Sequence, residues 1–126
     1  MTLHWDVHEL SIAQSLVTLA QQHLPADVAR VHVVTVRVGA LAGVVGDALQ
    51  FCYDIATEGT PLAGSALRIE DVPVVIHCAE CGGDHALSMP PVFRCPVCDV
   101  PCGDVRQGRE LDLASIEYDT GDDACP

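Results

Sequence analysis

The 126-residue sequence has few basic side chains: 6 lysines and arginines stand against 18 aspartates and glutamates, for a formal net charge of −12. A field of this sign repels phosphate backbones and attracts cations or basic partners, so we expect no nucleic-acid partner. The chain has no apolar run long enough to span a bilayer, and Met1–Asp6 lacks the basic and apolar regions of a secretion signal. We therefore expect a cytoplasmic protein without membrane insertion.

The sequence also lacks the short motifs of common catalytic sites. It contains no glycine-rich phosphate loop ending in lysine, no nucleophile elbow and no HExxH helix. We therefore expect a protein that is not an enzyme.

Two C-x2-C pairs, Cys78 with Cys81 and Cys95 with Cys98, are the strongest signal present, and thirteen residues separate them. This spacing lets two tight turns present four thiolates to one tetrahedral Zn²⁺. Four protein sulfurs close the coordination shell, which predicts a structural Zn(II) cofactor rather than a catalytic one. Disulfides are the alternative, but without a secretion signal the spacing favours metal ligation in a reducing compartment.

The other cysteines and two histidines have less specific settings. Cys102 is interpreted as a spare thiol, Cys52 as a core residue on a helix face, and Cys125 as a free thiol in the tail. His77 and His85 are auxiliary candidates that could exchange into the zinc shell and make it pH-sensitive. The alternative is that both histidines are only exposed neighbours.

Hydrophobic periodicity predicts two helices and three strands. In chain order these are a helix over 11–23, a strand over 31–38 with a bulge at Val33–Val34, a helix over 48–58, and strands over 66–72 and 109–118. Ser11 with Gln14 fits a capping box, Asp47 is the expected N-cap of the second helix, and Gly59 is its expected end. The expected core positions of the helices are Ile12, Leu16, Leu19, Ala20, Leu24, Leu49, Cys52, Ile55 and Ala56.

These elements predict an α+β fold of mixed α/β character, with two helices packed on a small, mainly three-stranded sheet and an inserted zinc-ribbon-like module. Residues 1–72 and 109–126 form the α/β domain, with 1–6 expected to be a disordered extension and the acidic tail from Asp119 expected to fray. Residues 73–108 form the zinc-binding module. A module this small rarely folds without a stabilising cross-link or metal. Structural zinc contributes about 10–16 kcal/mol of apparent binding free energy.

Several further segments recur in a characteristic order along the chain. They are His8–Leu16, Val36–Gly39, Leu41–Val44, Glu58–Leu67, the two cysteine pairs and Gly108–Leu111. Together they resemble the HypA/HybF family, the nickel-delivery accessory proteins of [NiFe]-hydrogenase maturation, over about Val7–Tyr118. The resemblance implies a metallochaperone with Ni(II) as transient cargo, and a HypB-type GTPase and the hydrogenase large-subunit precursor as partners. It also implies that urease is served in some relatives, and it leaves a homodimer open.

The same resemblance assigns nickel to the α/β domain, with His8 and Glu9 as the site residues. Ni²⁺ favours square-planar or tetragonal nitrogen and oxygen ligands. The family start Met-His-Glu would offer a terminal amine, a backbone amide and an imidazole, with Glu9 orienting the imidazole or supplying an oxygen.

The chain departs from that pattern because seven residues precede His8. One hypothesis places the native start at Val7, since a GTG codon can initiate translation as methionine. A second hypothesis removes Met1, so that Thr2, Leu3 and His4 form a square-planar chelate and His4 becomes an auxiliary candidate. The alternative to the second is an unstructured tail with a chance histidine.

Two other functions stay open beside the chaperone. A zinc-ribbon adaptor would dock proteins without transferring nickel. A hydrolytic metalloenzyme would need an open metal position, which a four-sulfur shell disfavours.

Overall fold

The computed structural model describes residues 3–121, with side chains from Glu9 onward. The described elements are α1 (Leu3–His23), β1 (Val28–Gly39), α2 (Gly46–Thr57), β2 (Ala66–Val72), β3 (Val74–Cys78), β4 (Gly83–Leu87), β5 (Val105–Gln107) and β6 (Leu111–Thr120). The mixed α/β class is confirmed. No helix among these residues is long and apolar enough to cross a membrane.

The strands form two three-stranded sheets, with orders β2-β1-β6 and β4-β3-β5. The first is the predicted main sheet, and the bounds of β2 agree with the predicted strand. The second sheet was not predicted, because strands of only three to five residues are too short for a hydrophobic period to be recognised in the sequence. In it β3 pairs antiparallel with β4, from Val74 opposite Leu87 to Cys78 opposite Gly83.

Helix α1 ends at His23 as predicted but begins at Leu3, eight residues before the predicted start. The capping box at Ser11 is therefore wrong, because Ser11 lies inside the helix. The backbone of Leu3–Asp6 is helical, where a disordered extension was expected. The side chains of His4 and His8 lie outside the described residues.

The buried stripe of α1 differs from the predicted one. Leu16 and Ala20 are buried as expected, but Leu19 is 38% exposed. The stripe is centred on Glu9, Ala13, Leu16, Val17 and Ala20. Two of its members, Ala13 and Ala20, are completely buried alanines, so small side chains form part of the packed face.

Helix α2 has Val45 as its N-cap residue, and Asp47 lies in the first turn, so the predicted cap is wrong. Its end is confirmed: Glu58 is the C-cap and Gly59 follows in the left-handed region. Leu49 and Cys52 are buried as predicted, whereas Ile55 is 45% exposed. Tyr53 and Thr57 are also buried, and the Tyr53 hydroxyl lies 2.6 Å from the Ser65 hydroxyl.

The long strands differ from prediction mainly at their ends. β1 extends the predicted strand by three residues before Val31 and one after Val38. Its alternation breaks between Val31 and Val34, both buried, which is where the sequence breaks its own period. β6 is shifted two residues along the chain, to Leu111–Thr120, so Asp119 lies in a strand rather than a frayed tail.

The chain divides into two compact units, the first made of Met1–Val36, Val44–Ile69 and Leu113–Pro126 and the second of Arg37–Gly43 and Glu70–Asp112. Residues 73–108, the predicted zinc-binding module, fall within the second unit, which also includes Arg37–Gly43. Backbone bonds explain this, since Gly39 donates to the Glu110 carbonyl and Leu41 to the Gly108 carbonyl, both at 2.7 Å. A β-carbon on Gly39 would lie 2.1 Å from the Gly108 oxygen, so only glycine permits this approach.

Candidate metal centre

The first cysteine pair sits on the turn of the β3–β4 hairpin. β3 ends at Cys78, β4 begins at Gly83, and Cys81 lies on the turn between them. The Gly82 N–H donates to the Cys78 carbonyl at 2.8 Å, and Gly82 has φ +73°. Glycine adopts this left-handed backbone without steric cost, so the turn can fold both sulfurs to the same side.

The second cysteine pair repeats this turn geometry. The Asp99 N–H donates to the Cys95 carbonyl at 2.8 Å, and Asp99 has φ +58°. Aspartate is among the few other residues that tolerate this region. The Arg94 guanidinium supports the turn, because its Nη2 donates to the Asp99 carbonyl at 2.8 Å and its Nε to Asp99 Oδ1 at 3.1 Å.

The two turns bring together the four cysteines that the spacing predicts. The sulfurs of Cys78, Cys81, Cys95 and Cys98 all lie within 4.8 Å of one another. The Cys81 and Cys95 sulfurs are 3.9 Å apart, close to the separation of about 3.8 Å that four sulfurs take around tetrahedral zinc. Cys78 and Cys95 are each 1% exposed, so half of the cluster is sealed from water.

The electrostatics of the metal-free cluster also favour a cation. The Cys98 N–H donates to the Cys95 sulfur at 3.3 Å and, with the Val97 N–H, lowers the pKa of Cys95 to about 6. Desolvation and the neighbouring sulfurs raise the pKa of Cys98 to about 12. The Gly83 N–H lowers the pKa of Cys81, but desolvation and the nearby cysteines outweigh it and raise that pKa. In the metal-free cluster, one cysteine ionises readily, whereas ionisation of its neighbours is disfavoured. A divalent cation would stabilise the thiolate form of all four cysteines.

The donor set therefore fits structural zinc. It consists of four soft sulfurs at tetrahedral separation, with backbone N–H groups aimed at the thiolates. Bound there, zinc would link the β3–β4 hairpin to the Cys95–Cys98 turn and supply the cross-link that a small core lacks.

Cys102 and the two auxiliary histidines surround the cluster without belonging to it. Cys102 is buried, and its thiol donates to the His77 carbonyl at 2.8 Å. The His85 Nε2 lies 3.3 Å from the Cys81 sulfur. His77 is turned to Asp84 instead, with Nδ1 2.7 Å from Oδ1.

Glu9 occupies a position in the first unit that the sequence did not reveal. Its side chain is fully buried, and its Oε2 accepts a hydrogen bond of 3.0 Å from the Val45 N–H. Val45 is the N-cap of α2, so a carboxylate from α1 lies at the positive end of the α2 dipole. The only signal for this was helical spacing, because Glu9 stands four residues before Ala13 on the buried stripe.

These features define a class of protein, a mixed α/β metal-binding protein that carries a four-cysteine zinc-type site in a distinct unit. The family described as "Hydrogenase/urease nickel incorporation, metallochaperone, hypA" matches residues 7–118. The chain belongs to this family of hydrogenase maturation factors, whose members are metallochaperones rather than enzymes.

Named relatives agree with that assignment. The chain is 54% identical over 112 residues to the hydrogenase maturation factor HypA of Chloroflexus aurantiacus, covering 88% of this chain and 98% of the relative. The HypA of Streptomyces avermitilis is 38% identical over 117 residues, covering 91% and 89%.

Solved structures share the fold. The solution structure of the Ni metallochaperone HypA from Helicobacter pylori gives a TM-score of 0.63 at 21% identity, covering 87% of this chain and 96% of that one. A second HypA solution structure gives 0.65 at 22% identity, covering 89% and 96%. At these identities the likeness supports the fold alone.

Proposed function

We propose that this protein binds Ni²⁺ in its first unit and delivers it, in the cytoplasm, for maturation of [NiFe]-hydrogenase, with urease as a further recipient. A HypB-type GTPase and the hydrogenase large-subunit precursor are the proposed partners. Zn²⁺ stays in the four-cysteine cluster as a resident structural ion. The observation that carries the proposal is the family match over residues 7–118, whose first positions include His8 and Glu9.

In this proposal His8 supplies an imidazole ligand to nickel and Glu9 keeps the start of α1 in place. Burying a carboxylate is costly unless donors compensate it. Glu9 is fully buried and accepts the Val45 N–H, so its carboxylate ties α1 to the N-terminus of α2. This supports an orienting role for Glu9 over that of a solvent-exposed oxygen ligand.

The first test is calorimetric titration of Ni²⁺ into the zinc-loaded chain. We expect one nickel site in the wild type that His8→Ala abolishes. His23→Ala is a matched control, because His23 lies at the opposite end of the same helix. Absence of nickel binding in the wild type would leave the zinc-ribbon adaptor as the function.

The same titration distinguishes the roles of Glu9 and of the residues before Val7. Glu9→Gln keeps an acceptor for the Val45 N–H but removes the charge, and we expect nickel affinity to fall about 10–100-fold. An unchanged affinity would exclude an orienting role. His4→Ala, and a chain that starts with methionine at position 7, show whether His4 or a terminal amine contributes; intact mass of the native protein identifies its first residue.

A further inference from the structure

The solvent-facing side of α2 displays two large apolar residues. Phe51 is 68% exposed and Ile55 is 45% exposed, and they stand one helical turn apart. Neighbours at i and i+4 form a continuous ridge on a helix surface. Exposed apolar ridges bordered by polar residues are characteristic of protein-binding surfaces.

Acidic residues border this apolar pair. Asp47, Asp54 and Glu58 are all exposed. The helical spacing of Asp47 and Asp54 relative to Phe51 puts them on the same side of α2, and Glu58 is the C-cap residue, three positions after Ile55. The sequence of α2, Gly46–Thr57, contains no lysine, arginine or histidine. The C-terminal carbonyls of α2 add partial negative charge beside Glu58, whereas Asp47 lies in the first turn at the positive end of the helix dipole, so the negative charge of the ridge is greatest toward Asp54 and Glu58.

We propose that these five residues, the α2 ridge, form a docking surface for a basic amphipathic helix of a partner protein. The i, i+4 pair would pack into the groove between side chains of an incoming helix. Lysines or arginines flanking the partner's apolar stripe would meet Asp47, Asp54 and Glu58. This inference is independent of the nickel site, since neither His8 nor Glu9 belongs to the ridge.

Charge selects this occupant over the alternatives. A second copy of the chain, joined by a two-fold axis through this surface, would place the same carboxylates opposite one another. Anionic membranes and nucleic acids would be repelled for the same reason. A partner helix that is apolar on one stripe and basic beside it satisfies both features.

The test uses two fluorescein-labelled helical peptides and the zinc-loaded full chain. Both peptides carry leucines at i and i+4; one has flanking lysines and the other flanking glutamates. We expect fluorescence anisotropy to show binding of the basic peptide, at least about tenfold weaker binding of the acidic one, and weakening by salt.

Two matched pairs of variants locate the binding. Phe51→Ser combined with Ile55→Ser should weaken binding of the basic peptide about tenfold or more. Met89→Ser combined with Val92→Ser, at comparably exposed positions outside the ridge, should leave the affinity unchanged. Binding of the basic peptide should weaken, and its salt dependence should become smaller, in the triple variant Asp47→Asn, Asp54→Asn and Glu58→Gln. The matched control changes three exposed acids elsewhere and alters the net charge by the same amount. It should leave the affinity and its salt dependence unchanged, and it consists of Asp27→Asn, Asp71→Asn and Asp112→Asn.

Equal losses from both charge sets would mean nonspecific attraction and would overturn the proposal. Equal affinity for the two peptides, or no binding of the basic one, would also overturn it. Concentration-dependent dimerisation in sedimentation experiments that Phe51→Ser abolishes would identify a second copy as the occupant instead. Thermal unfolding checks each variant, and the milder Phe51→Ala replaces the double variant if that one fails to fold.

Discussion

In the first unit, α1 and α2 bury aliphatic side chains and a tyrosine, among them Leu16, Leu49 and Tyr53. In the second, a buried cluster consists of Val74, Ile76, Cys78, Cys95 and Cys102, so three of its five residues are cysteines. The first core is held by packing between segments far apart in sequence, and the second by turns that aim thiolates at a common point. We therefore expect removal of the metal to destabilise the second unit strongly and the first unit only slightly.

The largest expected effect is loss of zinc. Stripping it with a chelator, or substituting Cys95→Ser, removes about 10–16 kcal/mol of apparent metal-binding free energy from the second unit. We expect amide NMR signals of residues 70–112 to collapse toward unfolded positions while α1 and α2 keep theirs. A metal-free protein with an intact second unit would break the comparison.

The reciprocal change is a cavity in the first unit. Leu49 is completely buried, so Leu49→Ala should destabilise that unit by about 2–5 kcal/mol. Zinc affinity, measured by competition with a chromophoric chelator, should stay unchanged. Leu19→Ala on α1 is the control and should cost far less, because Leu19 is partly exposed; an equal cost would show that the assigned helix faces are wrong.

The pH dependence of zinc binding sharpens the account of the cluster. Zinc binds thiolates, so each protonated cysteine must release a proton. Cys95, with its pKa lowered to about 6, is already ionised above that pH and must lose a proton below it. As pH falls through about 6, zinc affinity should therefore fall an additional tenfold, or about 1.4 kcal/mol, per pH unit.

Calorimetry in buffers of different ionisation enthalpy counts the released protons directly. The count should rise by about one as pH is lowered through about 6. A constant count across this range would contradict the lowered pKa of Cys95.

The smallest expected effect compares the two cysteine turns. Gly82 and Asp99 hold equivalent left-handed positions, so Gly82→Ala should destabilise the second unit by about 1 kcal/mol through backbone strain. Asp99→Gly removes strain but also the bond from Arg94 Nε, so these effects should nearly cancel. Chemical denaturation of the zinc-loaded variants measures both free-energy changes, and equal costs would contradict this account of backbone strain at the two left-handed positions.

The cysteine spacing predicted its cluster because each turn is a local structure whose ligands are a few residues apart. The bounds of β2 and the ends of α1 and α2 were equally accessible, since proline, glycine and β-branched residues act over short distances. Other features needed tertiary information. The buried Glu9 side chain accepts its hydrogen bond from the N–H of Val45, 36 positions away, and no local sequence pattern predicts such a partner.

Ile55 shows the opposite limit. Its apolar side chain in a helical pattern predicted core burial, yet it is 45% exposed beside Phe51. Periodicity identifies apolar residues but not whether they face the protein's own core or solvent. Strands β3, β4 and β5 were missed because short segments between turns carry too few residues to show a period.

The central claim is that the resident and cargo metals occupy separate places held by separate residues. Metal analysis after equilibrium dialysis against Zn²⁺ and Ni²⁺ tests it most directly, comparing the wild type with His8→Ala and Cys95→Ser. The account predicts one zinc and one nickel per wild-type chain, loss of nickel alone in His8→Ala, and loss of zinc in Cys95→Ser. Nickel that persists in His8→Ala and disappears only with the cysteine substitution would contradict it, because the cargo would then sit in the four-cysteine cluster.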